Sequence, residues 1–262
     1  MRGKLSITLV VAVCLLAPDA RADDDSSLYG GFGLAGTLEP GGSGNELETH
    51  CSDLGAASCG TPIPIGGALF GYVGIARKQL GLEVMLGAMG DLHRPSASFD
   101  GAPHTPYGNP LISMPKREES FIILRGGGLL AVRGRYTSQT ARLRKTIAAG
   151  IGASYKQMAL EREVTSDTGL EDRPYFPSGA GYFSPALSFD GALQYRASST
   201  TAVSFGLFVW METAWSGAKA PGDPHRILAG EGGFTPVATP EYRMASGLQI
   251  FIGPYIGVQF GP

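Results

Sequence analysis

The chain has 262 residues, with 21 Lys and Arg against 23 Asp and Glu, a formal net charge of -2, and a charged fraction of 17%, below the usual share of about 25%. A balance this close to neutral, without a basic stripe or a stacking platform, gives no reason to expect a nucleic-acid partner. Gly, at 39 residues, is about twice its usual share of roughly 7%, a composition suited to strands, tight turns and crowded backbone.

The N-terminus carries Arg2 and Lys4, then an apolar run from Ile7 to Ala17, then Ala20-Arg21-Ala22. These are the charged, apolar and small-residue regions of a secretory signal. Cleavage is expected after Ala22, which leaves one domain over residues 23–262. The apolar run is well short of the roughly 20 residues a membrane-spanning helix needs. No later segment is long and apolar enough either. A lipid attached at Cys14 is the weaker alternative, because an Ala-x-Ala site follows that cysteine and small residues do not precede it in the usual way. After export Cys51 and Cys59 remain, close together in a polar stretch, and an oxidising compartment favours a disulfide between them. A metal pair with His50 lacks the further ligands of a closed tetrahedral site.

Successive strand side chains point to opposite faces, and reading the chain at that period gives eight segments. From Leu28 to Gly36, Leu28, Phe32 and Leu34 oppose Tyr29, Gly31, Gly33 and Ala35. From Ile65 to Ala76, Ile65, Leu69, Val73 and Ile75 oppose Gly66, Ala68, Phe70 and Gly74. From Gln79 to Ala88, Leu80, Leu82, Val84, Leu86 and Ala88 oppose Gln79, Gly81, Glu83, Met85 and Gly87. From Phe121 to Tyr136, Ile122, Leu124, Leu130 and Val132 oppose Arg125, Gly127, Ala131, Arg133 and Arg135. The fifth, Ile147 to Lys156, sets Ile147, Ile151 and Tyr155 against Ala148, Gly152 and Lys156. The sixth, Leu187 to Arg196, sets Leu187, Phe189, Leu193 and Tyr195 against Ser188, Asp190 and Gln194. The seventh sets Val203, Phe205, Leu207 and Val209 against Ser204, Phe208, Trp210 and Glu212. The eighth, Leu248 to Phe260, sets Ile250, Ile252, Ile256, Val258 and Phe260 against Gln249, Gly253, Tyr255, Gly257 and Gln259.

The connections alternate strictly. Arg77-Lys78, Thr137 to Ala141 and Ala197 to Thr200 are short, whereas Thr37 to Pro64, Asp91 to Ser120, Val164 to Gly181 and Thr213 to Arg243 are long. Antiparallel strands running up and down a closed barrel give this pattern, with short periplasmic turns and long outer loops. Aromatic residues fall near the strand ends, as interface girdles require. They are Tyr29, Tyr136, Tyr195 and Phe260 at one end, and Phe121, Tyr182, Phe183, Trp210 and Trp215 at the other.

The layout resembles the small eight-stranded outer-membrane barrels of the outer-membrane protein A and X type. The likeness rests on architecture and on the C-terminal run Ile252, Ile256, Val258, Phe260, which resembles that family's assembly signal. Gly261 and Pro262 after the aromatic depart from the pattern. So does Pro254, which removes a ladder donor inside the last strand. The expected fold is an all-β, eight-stranded antiparallel up-and-down transmembrane β-barrel in the outer membrane of a Gram-negative cell. Its expected partners are outer-membrane lipids, the barrel assembly machinery during biogenesis, and an extracellular ligand met through the loops. The narrow interior leaves room only for the barrel's own side chains. Glu83, Arg125, Asp190 and Glu212 face it and are expected to form an ion-paired or hydrogen-bonded network.

No catalytic residue, cofactor site or metal site is assigned. His50, His93, His104 and His225 are placed in the long loops. His50-Cys51-Ser52 and Asp223-Pro224-His225 only superficially resemble the His-x-Ser of lipid A deacylases and the Asp-x-His of outer-membrane proteases, without an oriented partner for either base. Gly126-Gly127-Gly128 sits mid-strand and reads as a bulge or a close backbone contact. A structural or surface-interaction role is expected. The rivals are a lipid-modifying enzyme of the membrane, a narrow transporter of hydrophobic molecules, and a soluble periplasmic β-protein.

Overall fold

The computed structural model describes residues 26–40, 57–60, 62–100, 117–138, 143–166, 171–172, 180–213, 218–220, 227–230, 233–236, 242–245 and 248–261. The expected signal and Cys51 lie outside these residues, as do His50, His104, Trp215, Asp223 and His225. Among the described residues the barrel consists of eight strands: β1 (Ser26–Leu38), β2 (Ile65–Arg77), β3 (Leu80–His93), β4 (Arg117–Thr137), β5 (Leu143–Ser166), β6 (Ala180–Arg196), β7 (Thr201–Thr213) and β8 (Leu248–Phe260). Each pairs antiparallel with its neighbours in sequence. β8 returns to β1 with Gly30 opposite Phe260 and Ala35 opposite Tyr255, which closes the sheet and removes its edges. In hydrocarbon this closure is obligatory, because no water is present to satisfy a free N–H or C=O.

The tightest connection joins Arg77 to Leu80 through Lys78, whose φ of 58° lies in the left-handed region. Two-residue hairpins need that conformation because it matches the strand twist. At the opposite end β4 and β5 pair from Thr137 opposite Thr146 to Arg117 opposite Ser166. Their 21 and 24 residues far exceed the roughly 9–11 needed to cross a bilayer. Three short strands extend the sheet there: Ser96–Phe99 pairs with the start of β4, Ser58–Gly60 pairs with Ser96–Phe99, and Glu171–Asp172 pairs with the end of β5.

Pro254 interrupts only one of its two ladders. β8 pairs continuously with β7, Leu207 standing opposite Pro254. Against β1 the pairing lapses between Tyr255 and Ile252, then resumes in the same register at Leu38. In that gap a Cβ on Gly253 would lie 1.7 Å from the Gly36 carbonyl oxygen, so the close approach beside the proline requires glycine. The triple glycine of β4 makes no bulge, since its register against β3 and β5 is unbroken. Of the two readings of that segment the close contact holds: a Cβ on Gly127 would meet the Tyr155 carbonyl at 1.8 Å.

The two faces differ in chemistry. The outer face exposes Leu34, Leu69, Leu82, Leu86, Leu130, Ile151, Leu187, Phe205 and Ile256, each at least 48% accessible. A continuous apolar surface of this extent is stable only against lipid. Tyr136, Tyr195 and Phe260 mark its short-turn border, and Tyr155 and Phe183 lie toward the other. Three aromatics expected in these girdles turn inward instead: Tyr29, Tyr182 and Trp210 are at most 4% accessible. For Tyr29 and Trp210 the reason is a polar tip with an interior acceptor, Glu83 and Glu212 respectively.

Candidate functional site: the charged lumen

Period two sends every second side chain of each strand into the barrel, where the described interior sorts into three layers. Toward the short-turn end Glu83 is the hub. It accepts from Arg135 Nε at 2.6 Å, from Tyr29 OH at 3.0 Å, and from Arg133 Nη2. The other arm of Arg133 donates to Asp190 at 2.5 Å. Arg135 also reaches Gln259, to which Gln194 donates at 2.9 Å, and its guanidinium lies 4.4 Å from the Tyr72 ring centroid. Two carboxylates and two guanidiniums thus neutralise each other. A buried ion cluster is tolerated only when its charges are matched in this way.

The middle layer is apolar. Phe70 stacks on Phe208 with ring centroids 5.0 Å apart and meets Tyr255 edge-on at 5.7 Å, while Met85 is fully buried beside them in the same core.

Above it, toward the long connections, Arg125 donates to Asp91 at 2.7 Å and to Glu39. Glu212 accepts from Lys156 at 2.6 Å, Ser154 at 2.7 Å and Trp210 at 2.8 Å. Gln249 links the two groups when its amide nitrogen is set toward Glu212, at 3.1 Å, and its oxygen toward Arg125, at 3.0 Å. Lys156 also sits 3.9 Å from the centroid of the Phe251 ring.

The four interior residues singled out in the sequence therefore fall into two clusters. Glu83 joins Asp190 through Arg133, Arg125 joins Glu212 through Gln249, and the aromatic layer lies between the clusters. Glu39 and Asp91, which the alternation assigned to loops, belong to the upper cluster. They could have been found by extending period two from Thr37 to Glu39 and from Glu83 through Met85, Gly87 and Met89 to Asp91. His93 is a correction of the same kind: it is the last residue of β3, not a loop residue, and its side chain is 1% accessible. Cys59 sits half-buried on the Ser58–Gly60 strand opposite Ala97, and no disulfide is formed among the described residues. Among the described residues no group of His, Cys, Asp and Glu is placed to hold a metal.

A closed sheet, apolar outside and charged inside, defines the class: a small eight-stranded transmembrane β-barrel of the outer-membrane type. No family model and no curated protein matches the chain. Among solved structures it is similar to Neisserial surface protein A, at 9% identity over 90% of this chain and 99% of that one, with a TM-score of 0.37. It is also similar to the Pseudomonas aeruginosa outer membrane protein OprG, at 12% identity over 90% and 95%, TM-score 0.33. A third similarity is to the Escherichia coli outer membrane protease OmpT, at 9% over 90% and 97%, TM-score 0.38. The class itself follows from the closure of this sheet and the chemistry of its two faces.

Proposed function

We propose that the protein is an integral outer-membrane barrel with a structural or surface-interaction role, neither a pore nor an enzyme. The observation that carries this is the packed lumen. Phe70, Phe208, Trp210, Phe251, Arg133 and Lys156 are at most 2% accessible, so the middle of the barrel excludes water and offers solutes no passage. The charges of the two interior clusters are engaged with one another, leaving no assembled acid, base and nucleophile among the described residues. By contrast, the Arg117 end of β4, the Ser166 end of β5 and the short strands beside them continue the sheet past the apolar belt, on the side carrying the long connections where an extracellular ligand would be met. Lipids of the outer membrane contact the belt, and the assembly machinery would read the C-terminal strand.

Reconstitution into planar bilayers, combined with surface labelling, tests this reading. The protein should add no stepwise conductance, and an epitope inserted within residues 101–116 should be reached by antibody on intact cells while one within 139–142 should not. Stepwise conductance, or the opposite labelling, would overturn it.

A further inference from the structure

At the short-turn end the barrel opens into a cavity of about 390 Å³ with Tyr29, Arg135 and Gln259 in its lining together with Lys78, Arg144 and Arg196. Arg135 is engaged by Glu83. No ion pair joins Lys78, Arg144 or Arg196 to a carboxylate among the described residues, and the cavity lining contains none. Arg144 stands opposite Gln194 in the β5–β6 ladder, which makes Arg196, two residues on, its diagonal neighbour on the same inner face. Like charges at such positions repel, and a concave wall of one sign concentrates counter-ions. Arg196 is also held in place, because its Nε and Nη2 donate to the Ser198 and Ser199 carbonyls at 3.1 and 2.7 Å.

We infer that this mouth is a binding site for a phosphate group, carried by a small phosphorylated compound or by an anionic lipid headgroup. Phosphate suits it better than a single carboxylate for two reasons. Three cations without a carboxylate partner among the described residues call for more than one negative charge, and guanidiniums present paired donors to tetrahedral oxyanions. Tyr136, Tyr195 and Phe260, on the outside of the same end, place the mouth near the level of lipid headgroups. The site is distinct from the loops at the far end and rests on the geometry of the mouth alone.

The test is calorimetric titration of the folded barrel, in uncharged maltoside micelles at low ionic strength, with inorganic pyrophosphate. Saturable one-to-one binding is expected, weakened roughly tenfold or more in Arg144→Gln/Arg196→Gln as charge-assisted hydrogen bonds are lost. Arg77→Gln/Arg94→Gln, which removes the same charge outside the cavity, should bind like the parent. The heat-dependent gel mobility of each variant checks its fold. Repeating the titration in nanodiscs of phosphatidylcholine with and without phosphatidylglycerol separates the two sources: pyrophosphate excluded by phosphatidylglycerol identifies the headgroup, and undiminished binding identifies a soluble phosphate. Absence of saturable binding to the parent would overturn the site, including the case in which Asp23–Asp25 neutralise these cations. Equal weakening in the control pair would also overturn it.

Discussion

Phe70 of β2 and Phe208 of β7 stack across the lumen at 5.0 Å, and with Met85 they form an apolar layer between two separate charge clusters. Replacing Phe208 by Ala should cost about 3–5 kcal/mol, the usual penalty for emptying a packed aromatic site. Guanidinium unfolding of the barrel in micelles measures it, and an unchanged midpoint would show that the ring is not packed as described.

Glu83 is the acceptor shared by Arg133, Arg135 and Tyr29. Glu83→Gln should therefore destabilise the barrel by about 3–5 kcal/mol, since it strands buried cations. Combining it with Arg135→Gln should restore part of that loss, and the cycle of two single variants and the double gives the coupling directly. Purely additive effects would contradict a shared cluster.

Leu86 lies at the centre of β3 on the outer face, 51% accessible, next to the buried, inward-facing Met85. Leu86→Arg is expected to cost about 2–4 kcal/mol, the penalty for a cation at the bilayer midplane. Folding titrations into vesicles read this, and a neutral effect would mean that the face does not meet lipid.

Most of the barrel was legible because its lipid-facing residues must be apolar and its inward ones need not be. All eight strands follow from that alternation, as do the inward positions of Glu83, Arg125, Asp190 and Glu212. The strand ends were not legible, and β5 shows why. The sequence pattern runs from Ile147 to Lys156, but the strand continues to Ser166. Beyond the lipid the outer face no longer needs to be greasy, and the pattern inverts, with Gln157 exposed and Met158 buried inside. Asp91 and His93, at the same end of β3, likewise fall outside the apolar alternation. The division of the interior into two clusters depends on which strands face each other across the barrel, and period two carries no information about that.

Cys51 and Cys59 are expected to form a disulfide in the exported protein, closing a small loop beside the Ser58–Gly60 strand. Maleimide labelling of the unfolded protein should give no adduct before reduction and two after it. Two adducts without reductant would exclude the bond.

Fractionation of the producing cells, followed by gel electrophoresis in SDS with and without boiling, reads whether the protein is a closed barrel resident in the outer membrane. Recovery in the outer membrane with a heat-dependent shift in mobility is expected, because a closed sheet resists SDS until heated. Recovery in the soluble periplasm, with one mobility under both conditions, would contradict it.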